Sequence, residues 1–500
     1  MAQQQNTNKK LGLIALASVV ISSMIGGGIY SLPQNMAAGA SVGAVLLAFD
    51  MAAGASVGAV LIAWVITGVG MYFLANSFRI LSDAKPDLTA GIYMYARDGF
   101  GPFMGFTIGW GYWLCQIFGN VGYAVITMDA LNYFFPPYFA GGNNLYSIIG
   151  GSILIWFFNF VVLRGVQQAS FINTIATIFK ILPLFIFILI MIFAFKIHQF
   201  EADFWGNLVS HGQASLGSVP EQVKSTMLVT LWAFIGIEGA VVLSDRAENK
   251  SEVGKATFIG FLGCLIVYVL LSVLPYGFMS QAELAAVPNP STAGVLEAVV
   301  GKWGSWLMNI GLLIAVLASW LAWTMITAEI PFAAAQNGTF PKVFAAENEH
   351  KSPSVSLWVT SSLMQLAILM VYFSNNAWNT MLSITGVMVL PAYLSSMAYL
   401  WKICEDGEYP ATATVPRSGA LICSILGSFY ALWLIYAAGL EYLLMAVLFL
   451  TIGIPVFIWS RRENNPTEKT FSDRELSFAW LLVIVSVITL FLFWRGILKV

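Results

Sequence analysis

The chain has 500 residues, of which 58% are hydrophobic and only 10% are charged, and its formal net charge at pH 7 is -2. Ordinary soluble domains carry roughly 25% charged residues, so this composition excludes a water-soluble core. The charges form no long acidic or basic run, which excludes nucleic acid as a partner.

Apolar stretches follow one another along almost the entire chain. A transmembrane helix needs about 20 largely apolar residues, and the stretches of that length lie near 11–34, 52–77, 103–134, 146–163, 169–196, 222–244, 256–278, 304–334, 354–374, 379–401, 418–438, 440–460 and 477–496. The sequence therefore predicts an all-α integral membrane protein with 12–13 transmembrane helices. Its last apolar segment either spans the bilayer or lies on the membrane surface.

Basic residues are distributed unevenly between the predicted loops. If the tail 1–10, with Lys9 and Lys10, is cytoplasmic, most of the 23 Lys and Arg residues fall on the cytoplasmic side. Cytoplasmic loops of membrane proteins carry an excess of these residues. The distribution predicts a multi-pass protein of a bacterial inner (plasma) membrane with its N-terminus in the cytoplasm.

Two of the stretches are unfavourable for a continuous helix. The first contains Gly26, Gly27 and Gly28 in succession, and the other contains Trp-Ala-Phe-Ile-Gly-Ile-Glu-Gly at 232–239. Each glycine costs about 1 kcal/mol of helix propensity relative to alanine. Small residues also let membrane helices pack closely, but one neighbour needs only one or two of them. The triplet therefore favours an unwound segment in span one, paired with a second in span six.

An exact repeat follows the first break. The eleven residues MAAGASVGAVL occur at 36–46 and again at 51–61, with Asp50 between the copies. Because a charge there disfavours one long span, the additional segment 36–50 is expected to enlarge the outer connection between spans one and two. A recent duplication or a gene-model error is the favoured explanation for the repeat.

Unwound segments in a membrane expose backbone groups that can bind a zwitterion. At the first break, the N–H groups of Gly27 and Gly28 suit a carboxylate. The carbonyl groups of Met24, Trp232 and Ile235 suit an ammonium group. The two breaks together predict a binding site for an α-amino acid.

Three ionisable residues, Lys180, Glu238 and Glu329, are predicted to lie inside spans, where charge is costly and usually functional. Either acid could hold a substrate cation or carry a proton, and hydrogen bonding between helices is an equal alternative. Lys180 could replace a bound sodium ion, or its ammonium group could extend to the interface.

Aromatic side chains could stack on a guanidinium or ammonium group, each contributing about 0.5–2 kcal/mol. The candidates are Trp232, Trp323, Tyr112 and Tyr393, although most aromatic residues of such a chain pack or lie at the interface. The sequence contains no phosphate-binding loop, metal-spaced cluster or nucleophile–base arrangement. It therefore predicts no enzyme activity, no cofactor and no metal.

Several longer motifs carry a family resemblance. They include SMIGGGIYSLPQNMAA from Ser23, KPDLTAGIYMYARDGFG from Lys85, LWAFIGIEGAVVLSDRAENKSEVGKAT from Leu231 and WTMITAEIPF from Trp323. Through them the chain resembles the amino acid-polyamine-organocation (APC) transporters over essentially its whole length. Within that superfamily it resembles the basic amino acid/polyamine antiporters, specifically their arginine/ornithine antiporter branch.

The resemblance implies a five-plus-five inverted-repeat (LeuT-like) fold with broken helices 1 and 6. After the tail 1–10, the first repeat would cover 11–196 (spans 1–5) and contain the duplicated segment 36–50. The second repeat would cover 222–401 (spans 6–10). Spans 11–12 would follow at 418–460, then a cytoplasmic linker at 461–476 and an extra span at 477–500.

The resemblance also assigns roles to residues that match the family motifs. Gly27 and Gly28 would bind the substrate carboxylate, and the carbonyls of Met24, Trp232 and Ile235 its α-ammonium. The side-chain pocket would be formed by Asn120, Trp232, Trp323, Gln116, Thr385 and Glu329. Gating or proton-linked roles would fall to Tyr112, Glu238, Tyr393 and Lys180.

The implied function is sodium-independent exchange of a cationic amino acid for its metabolic product by alternating access. Glu329 matches the arginine/ornithine branch, so the main prediction is arginine/ornithine exchange. The alternatives are exchange of an amino acid for its decarboxylated amine, such as arginine/agmatine or histidine/histamine, and, more distantly, proton-coupled amino acid uptake. The predicted partners are small amino acids and the bilayer, and a homodimer remains open.

Overall fold

The computed structural model describes residues 12–39, 54–88, 92–207, 216–237, 250–374 and 377–498, with backbone alone at 14–16, 18–19, 22, 166–178, 250–251 and 253. The described chain is almost entirely α-helical, which confirms the predicted class. Short 3-10 segments at Gly27–Ser31, Ala140–Gly142, Leu274–Gly277 and Lys342–Ala345 connect several helices. Glu238 lies outside the described residues, as does most of the duplicated segment.

The helices of the described residues are numbered here in chain order. The first ten are α1 (Leu13–Met24), α2 (Leu32–Ala38), α3 (Val57–Ala84), α4 (Ile92–Phe100), α5 (Pro102–Phe134), α6 (Leu145–Leu163), α7 (Val166–Ala194), α8 (Ile197–Glu201), α9 (Val219–Ala233) and α10 (Lys250–Val273). The remaining helices are α11 (Gln281–Ala286), α12 (Ser291–Val300), α13 (Lys302–Gln336), α14 (Ser354–Val371), α15 (Ala377–Glu405), α16 (Arg417–Ala438), α17 (Leu440–Ile452), α18 (Ile454–Asn464) and α19 (Asp473–Trp494).

Ten helical segments in the described ranges are long and apolar enough to cross a bilayer, so the chain is a multi-pass membrane protein. They correspond to α3, α5, α6, the segment Gly254–Gly277 that contains most of α10, α13, α14, α15, α16, the joined α17 and α18, and α19. The predicted stretches 11–34, 169–196 and 222–244 are absent from this set. Two of them are interrupted, since α1 ends at Met24 and α9 ends at Ala233. The third contributes only the shorter apolar segment Phe179–Ala194 of α7.

Burial separates central helices from peripheral ones. In α5 and α15, 83% of the apolar window is buried inside the protein, whereas only 22% is buried in α19. A helix that is apolar all round must be covered by protein or by lipid. α5 and α15 pack against each other, and α13 packs along α5. These three helices therefore form the centre of the molecule, and α19 faces lipid.

The residues on either side of the duplicated segment lie close together in the structure. The N–H of Ala55 donates to the carbonyl of Ala37 at 3.0 Å, and Gln281 Nε2 donates to the same carbonyl at 2.8 Å. Met36 to Gly39 of the first copy end α2, whereas Val57 of the second copy begins α3. The residues between Gly39 and Gly54 lie outside the described ranges, so the enlarged connection stays a prediction.

Candidate functional site

The first helix breaks at the glycine triplet. α1 ends at Met24, Gly26 is extended (φ -103°, ψ -169°), and the chain resumes as the 3-10 segment Gly27–Ser31. The first N–H groups of a helix have no partner within it, and here they belong to Gly27 and Gly28. The Met24 carbonyl accepts the Gly26 N–H at 3.0 Å, which leaves it one lone pair for a further donor.

The second break lies at the end of α9 and touches the first. Gly236 has a φ of +103°, a left-handed conformation that glycine adopts without a steric cost. Its carbonyl accepts the Ser23 hydroxyl of α1 at 2.9 Å, and Ser23 Oγ also donates to Val20 O at 2.9 Å. The carbonyl of Trp232 accepts the Ile235 N–H at 3.2 Å. A hydrogen bond therefore ties the two breaks together.

Each glycine of the triplet contacts a different wall. A β-carbon added to Gly26 would lie 2.8 Å from the Tyr123 hydroxyl. One added to Gly27 would lie 2.0 Å from Val316 Cγ2, and one added to Gly28 would lie 1.7 Å from Trp232 Cη2. Close packing thus requires all three glycines, in addition to the break. The sequence argument considered packing against one neighbour, whereas the triplet has three.

A buried cavity of about 30 Å³, called here the central cavity, lies between the two breaks and α5, α13 and α15. One such volume holds one or two water molecules, so an amino acid requires the walls to move apart. Its lining comes from five segments of chain, and it contains Ser23, Met24, Gly26, Gln116, Gly119, Asn120, Tyr123, Trp232, Ile235, Trp323 and Thr385. No charged side chain of the described residues is in this lining.

Three side-chain polar atoms on the cavity wall lack a hydrogen-bond partner among the described residues: Asn120 Oδ1, Gln116 Nε2 and Thr385 Oγ1. Their residues are at most 4% exposed. The Asn120 amide is held in place because its Nδ2 donates to Gln116 O at 2.8 Å and to Thr327 Oγ1 at 3.0 Å. Buried polar atoms without partners are costly, so these atoms are available to a polar ligand.

Trp232 and a second tryptophan close one side of the cavity. The Trp232 ring lies against Gly28, and it meets the ring of Trp378 edge-on with 5.5 Å between centroids. Trp378 precedes Thr385 by seven residues in α15, or about 10 Å along the helix axis. In this conformation the Trp232 indole therefore fills the space beside Gly28, and Gly27 and Gly28 are outside the lining of the cavity.

Tyr112 and Tyr393 lie outside the cavity lining on the same side of it. Tyr112 is four residues from the lining residue Gln116, about 6 Å along the axis of α5, and Tyr393 is eight residues from Thr385, about 12 Å along that of α15. α5 and α15 run in opposite directions, so both tyrosines are displaced towards the predicted cytoplasmic side. Tyr393 is fully buried and packs on Phe78 with 5.7 Å between ring centroids.

The structure does not bring Glu329 and Lys180 to the central cavity. Glu329 is exposed and follows Trp323 by six residues in α13, which turns it to a different face of the helix. Lys180 in α7 is fully buried, and its backbone carbonyl accepts the Tyr30 hydroxyl at 2.8 Å. Lys180 thus lies beside the segment that follows the first break, whereas Glu329 is separate from the site.

Sequence reasoning missed several lining residues. Gly119 and Tyr123 share a helix face with Gln116 and Asn120, at spacings of three, four and seven residues. That periodicity could have identified both once Asn120 was chosen. Ser23 gave no comparable signal, because its role depends on a hydrogen bond to a glycine 213 positions away.

Comparisons with known proteins agree with a transport site in a membrane. A family model described as amino acid permease matches residues 11–450. An arginine/agmatine antiporter of Chlamydia pneumoniae is 60% identical over 500 residues, which is 100% of each chain. One of Chlamydia abortus (strain DSM 27085 / S26/3) is 61% identical over 487 residues, 97% of each chain. One of Chlamydia trachomatis serovar L2 is 56% identical, over 99% of this chain and 98% of its own.

Proposed function

Because the chain belongs to the amino acid permease family, we propose that it is an antiporter that exchanges arginine for agmatine. It is a membrane transporter and not an enzyme. Relatives named arginine/agmatine antiporters, 56–61% identical over almost the whole chain, support this substrate pair. They do not support the main sequence prediction, arginine/ornithine exchange. The argument for ornithine from Glu329 fails together with that prediction. The alternative prediction, exchange of an amino acid for its decarboxylated amine, replaces it.

The unpartnered polar atoms of the central cavity support recognition of the end that arginine and agmatine share. Both ligands carry a guanidinium group, which has five N–H donors and no acceptor. Asn120 Oδ1 and Thr385 Oγ1 are buried and can accept from it. Gln116 presents Nε2, and rotation of its amide by 180° would present an oxygen instead. Trp323 lines the same cavity and supplies an aromatic face for the cation.

The two helix breaks support recognition of the end at which arginine and agmatine differ. Arginine has a carboxylate that the N–H groups of Gly27 and Gly28 would bind, whereas agmatine has none. The carbonyls of Met24, Trp232 and Ile235 would take the ammonium group of either ligand. Because the Trp232 ring rests on Gly28, it must move aside to admit arginine. Substrate binding would therefore be coupled to movement of the second broken helix.

The remaining sequence-predicted residues fit roles away from direct contact. Tyr112 and Tyr393 would close the path between the central cavity and the predicted cytoplasmic side. Glu238 would complete that gate. Lys180, buried beside Tyr30 near the first broken helix, would take the place of a bound sodium ion when its amine is protonated. Ionisable groups at such positions in membrane proteins are usually functional. The orientation would place the N-terminus in the cytoplasm of a bacterial plasma membrane.

Counterflow separates the possible substrate pairs. Proteoliposomes loaded with agmatine should take up labelled arginine strongly, whereas empty vesicles should show only background, because an antiporter needs a substrate on each side. Parallel loading with ornithine, histidine and histamine ranks the alternatives. Trp323→Ala should lower uptake in agmatine-loaded vesicles severalfold, because a cation–π contact contributes about 0.5–2 kcal/mol. Trp303→Ala, an exposed tryptophan of the same helix, serves as its control. Uptake that is independent of internal agmatine would contradict the proposal.

A further inference from the structure

A second recess lies at the end of three spans, far along the chain from the helix breaks. This recess, called here the basic cleft, has a volume of about 560 Å³ and is formed by the start of α5, the end of α18 and the start of α19. Its cationic lining residues are Arg461, Lys469 and Arg474. The volume is in the range of small-molecule sites, about 300–1,000 Å³.

The carboxylates of the basic cleft are already engaged. Glu475 Oε1 accepts the Phe103 N–H at 2.8 Å, and its Oε2 accepts the Ser472 N–H at 2.8 Å, so this side chain caps the first turns of both α5 and α19. Glu468 pairs with Arg461. The two helix N-termini therefore do not provide the anion site, because one carboxylate occupies both.

The cations of the cleft are only partly engaged. Lys469 and Arg474 are exposed, and no carboxylate of the described residues pairs with either. Arg461 pairs through Nη2, but its buried Nε has no partner among the described residues. The three cations outnumber the two lining carboxylates, so the cleft retains a net positive charge and free N–H donors for an anion.

Apolar surface adjoins these cations. Phe100, 40% exposed, and Phe478, half-buried, line the cleft. Phe478 packs on the buried Phe103 with 5.9 Å between ring centroids. Along α19 the face that carries Arg474 continues, seven and fourteen residues on, with Leu481, 54% exposed, and Ile488, 50% exposed. A soluble anion would gain nothing from this surface, whereas a phospholipid would place its headgroup on the cations and its acyl chain on α19.

We propose that the basic cleft binds the phosphate group of an anionic phospholipid, held by Lys469 and Arg474 at the end of the spans. The shared chemistry, a phosphate oxyanion, could also come from a soluble phosphate, and the apolar wall favours the lipid. Basic pockets between membrane helices on the cytoplasmic side commonly bind such headgroups. The basic-residue distribution predicts that this side is cytoplasmic.

Native mass spectrometry of the purified full-length protein tests the proposal. Phosphatidylglycerol should remain bound under conditions that remove phosphatidylcholine with the same acyl chains. The double variant K469Q/R474Q should bind phosphatidylglycerol about thirtyfold more weakly, which is roughly fivefold for each removed cation. The matched control R164Q/K255Q removes two exposed cations from the ends of α6 and α10, on the same predicted side, and should bind as the unmodified protein does.

Two further arms keep the test decisive. Inorganic phosphate at millimolar concentration should neither bind at the cleft nor displace the lipid, and equal binding of free phosphate would overturn the lipid assignment. If K469Q/R474Q fails to insert, the unmodified protein alone still decides: equal retention of phosphatidylglycerol and phosphatidylcholine would overturn the proposal. An equal loss of lipid in the control pair would show general surface attraction and would also overturn it.

Discussion

The central cavity and the basic cleft differ in how they hold polar groups. The cavity is small, lies among mostly buried residues and is lined by neutral side chains, and its available atoms are single amide and hydroxyl groups. The cleft is open, about 560 Å³ in volume, and lined by five charged side chains. Unpaired charge is very costly in an enclosed apolar setting and inexpensive near water. Depth in the protein therefore decides which kind of recognition each recess can use.

The largest effect is expected from removing a neutral acceptor of the cavity. Asn120→Ala deletes the unpartnered Oδ1, and a hydrogen bond to a charged ligand contributes about 1.5–3 kcal/mol. The kcat/KM for arginine exchange should fall about tenfold to a hundredfold. Uptake into agmatine-loaded proteoliposomes measures this loss.

Asn309→Ala is the matched control for Asn120→Ala. Asn309 is equally buried, its Nδ2 also donates to the carbonyl four residues before it, and its Oδ1 is also unpartnered among the described residues, but it lies outside the cavity lining. Exchange by this variant should be normal. Equal losses in both variants would assign the effect to helix packing and remove the contrast between the recesses.

An intermediate effect is expected from filling the first break. Gly27→Ala places a methyl group 2.0 Å from Val316 Cγ2, a β-branched side chain with little rotamer freedom. Overpacking of this kind costs about 1–3 kcal/mol, so the unfolding temperature in detergent and the exchange rate should both fall. Gly263→Ala adds a methyl group where no atom lies within 4 Å, and it should leave both unchanged. A tolerated Gly27→Ala would mean that the wall at Val316 is not rigid.

The smallest effect is expected from neutralising an exposed acid. Glu329→Gln should change kcat/KM for arginine by less than about twofold, since exposed charge interactions contribute about 0–1 kcal/mol. The same counterflow assay measures it, with the rate of the unmodified protein as reference. A tenfold loss would show that Glu329 reaches the substrate in another conformation. The transport site, like the basic cleft, would then recognise its ligand through a charged side chain.

The sequence predicted the positions of the helix breaks correctly for a local reason. Three adjacent glycines lower helix propensity within one turn, and the structure ends α1 at Met24, two residues before them. The same local argument could not show how many neighbours the triplet has. Tyr123, Val316 and Trp232 come from three distant parts of the chain, so only their packing explains why each glycine is needed.

Glu329 illustrates the opposite outcome. Its place within a span could be predicted from hydropathy, but the direction of its side chain depends on how α13 is rotated against α5 and α15. Six residues beyond Trp323 it is exposed and lies outside the lining of the cavity. The basic cleft could not be predicted from the sequence for the same reason. Lys469 and Arg474 lie in the predicted linker, and only the packing of α5 against α19 shows that they line a recess.

By itself the sequence determined the membrane class, the helical architecture and the breaks, because apolar length and glycine content act over one helix at a time. It also determined the family, through motifs spread along the chain. The tertiary structure decided which side chains share a cavity, that Ser23 joins the two breaks, and that Trp232 covers Gly28. Those facts depend on the rotation and contact of helices far apart in the chain, which no local pattern encodes.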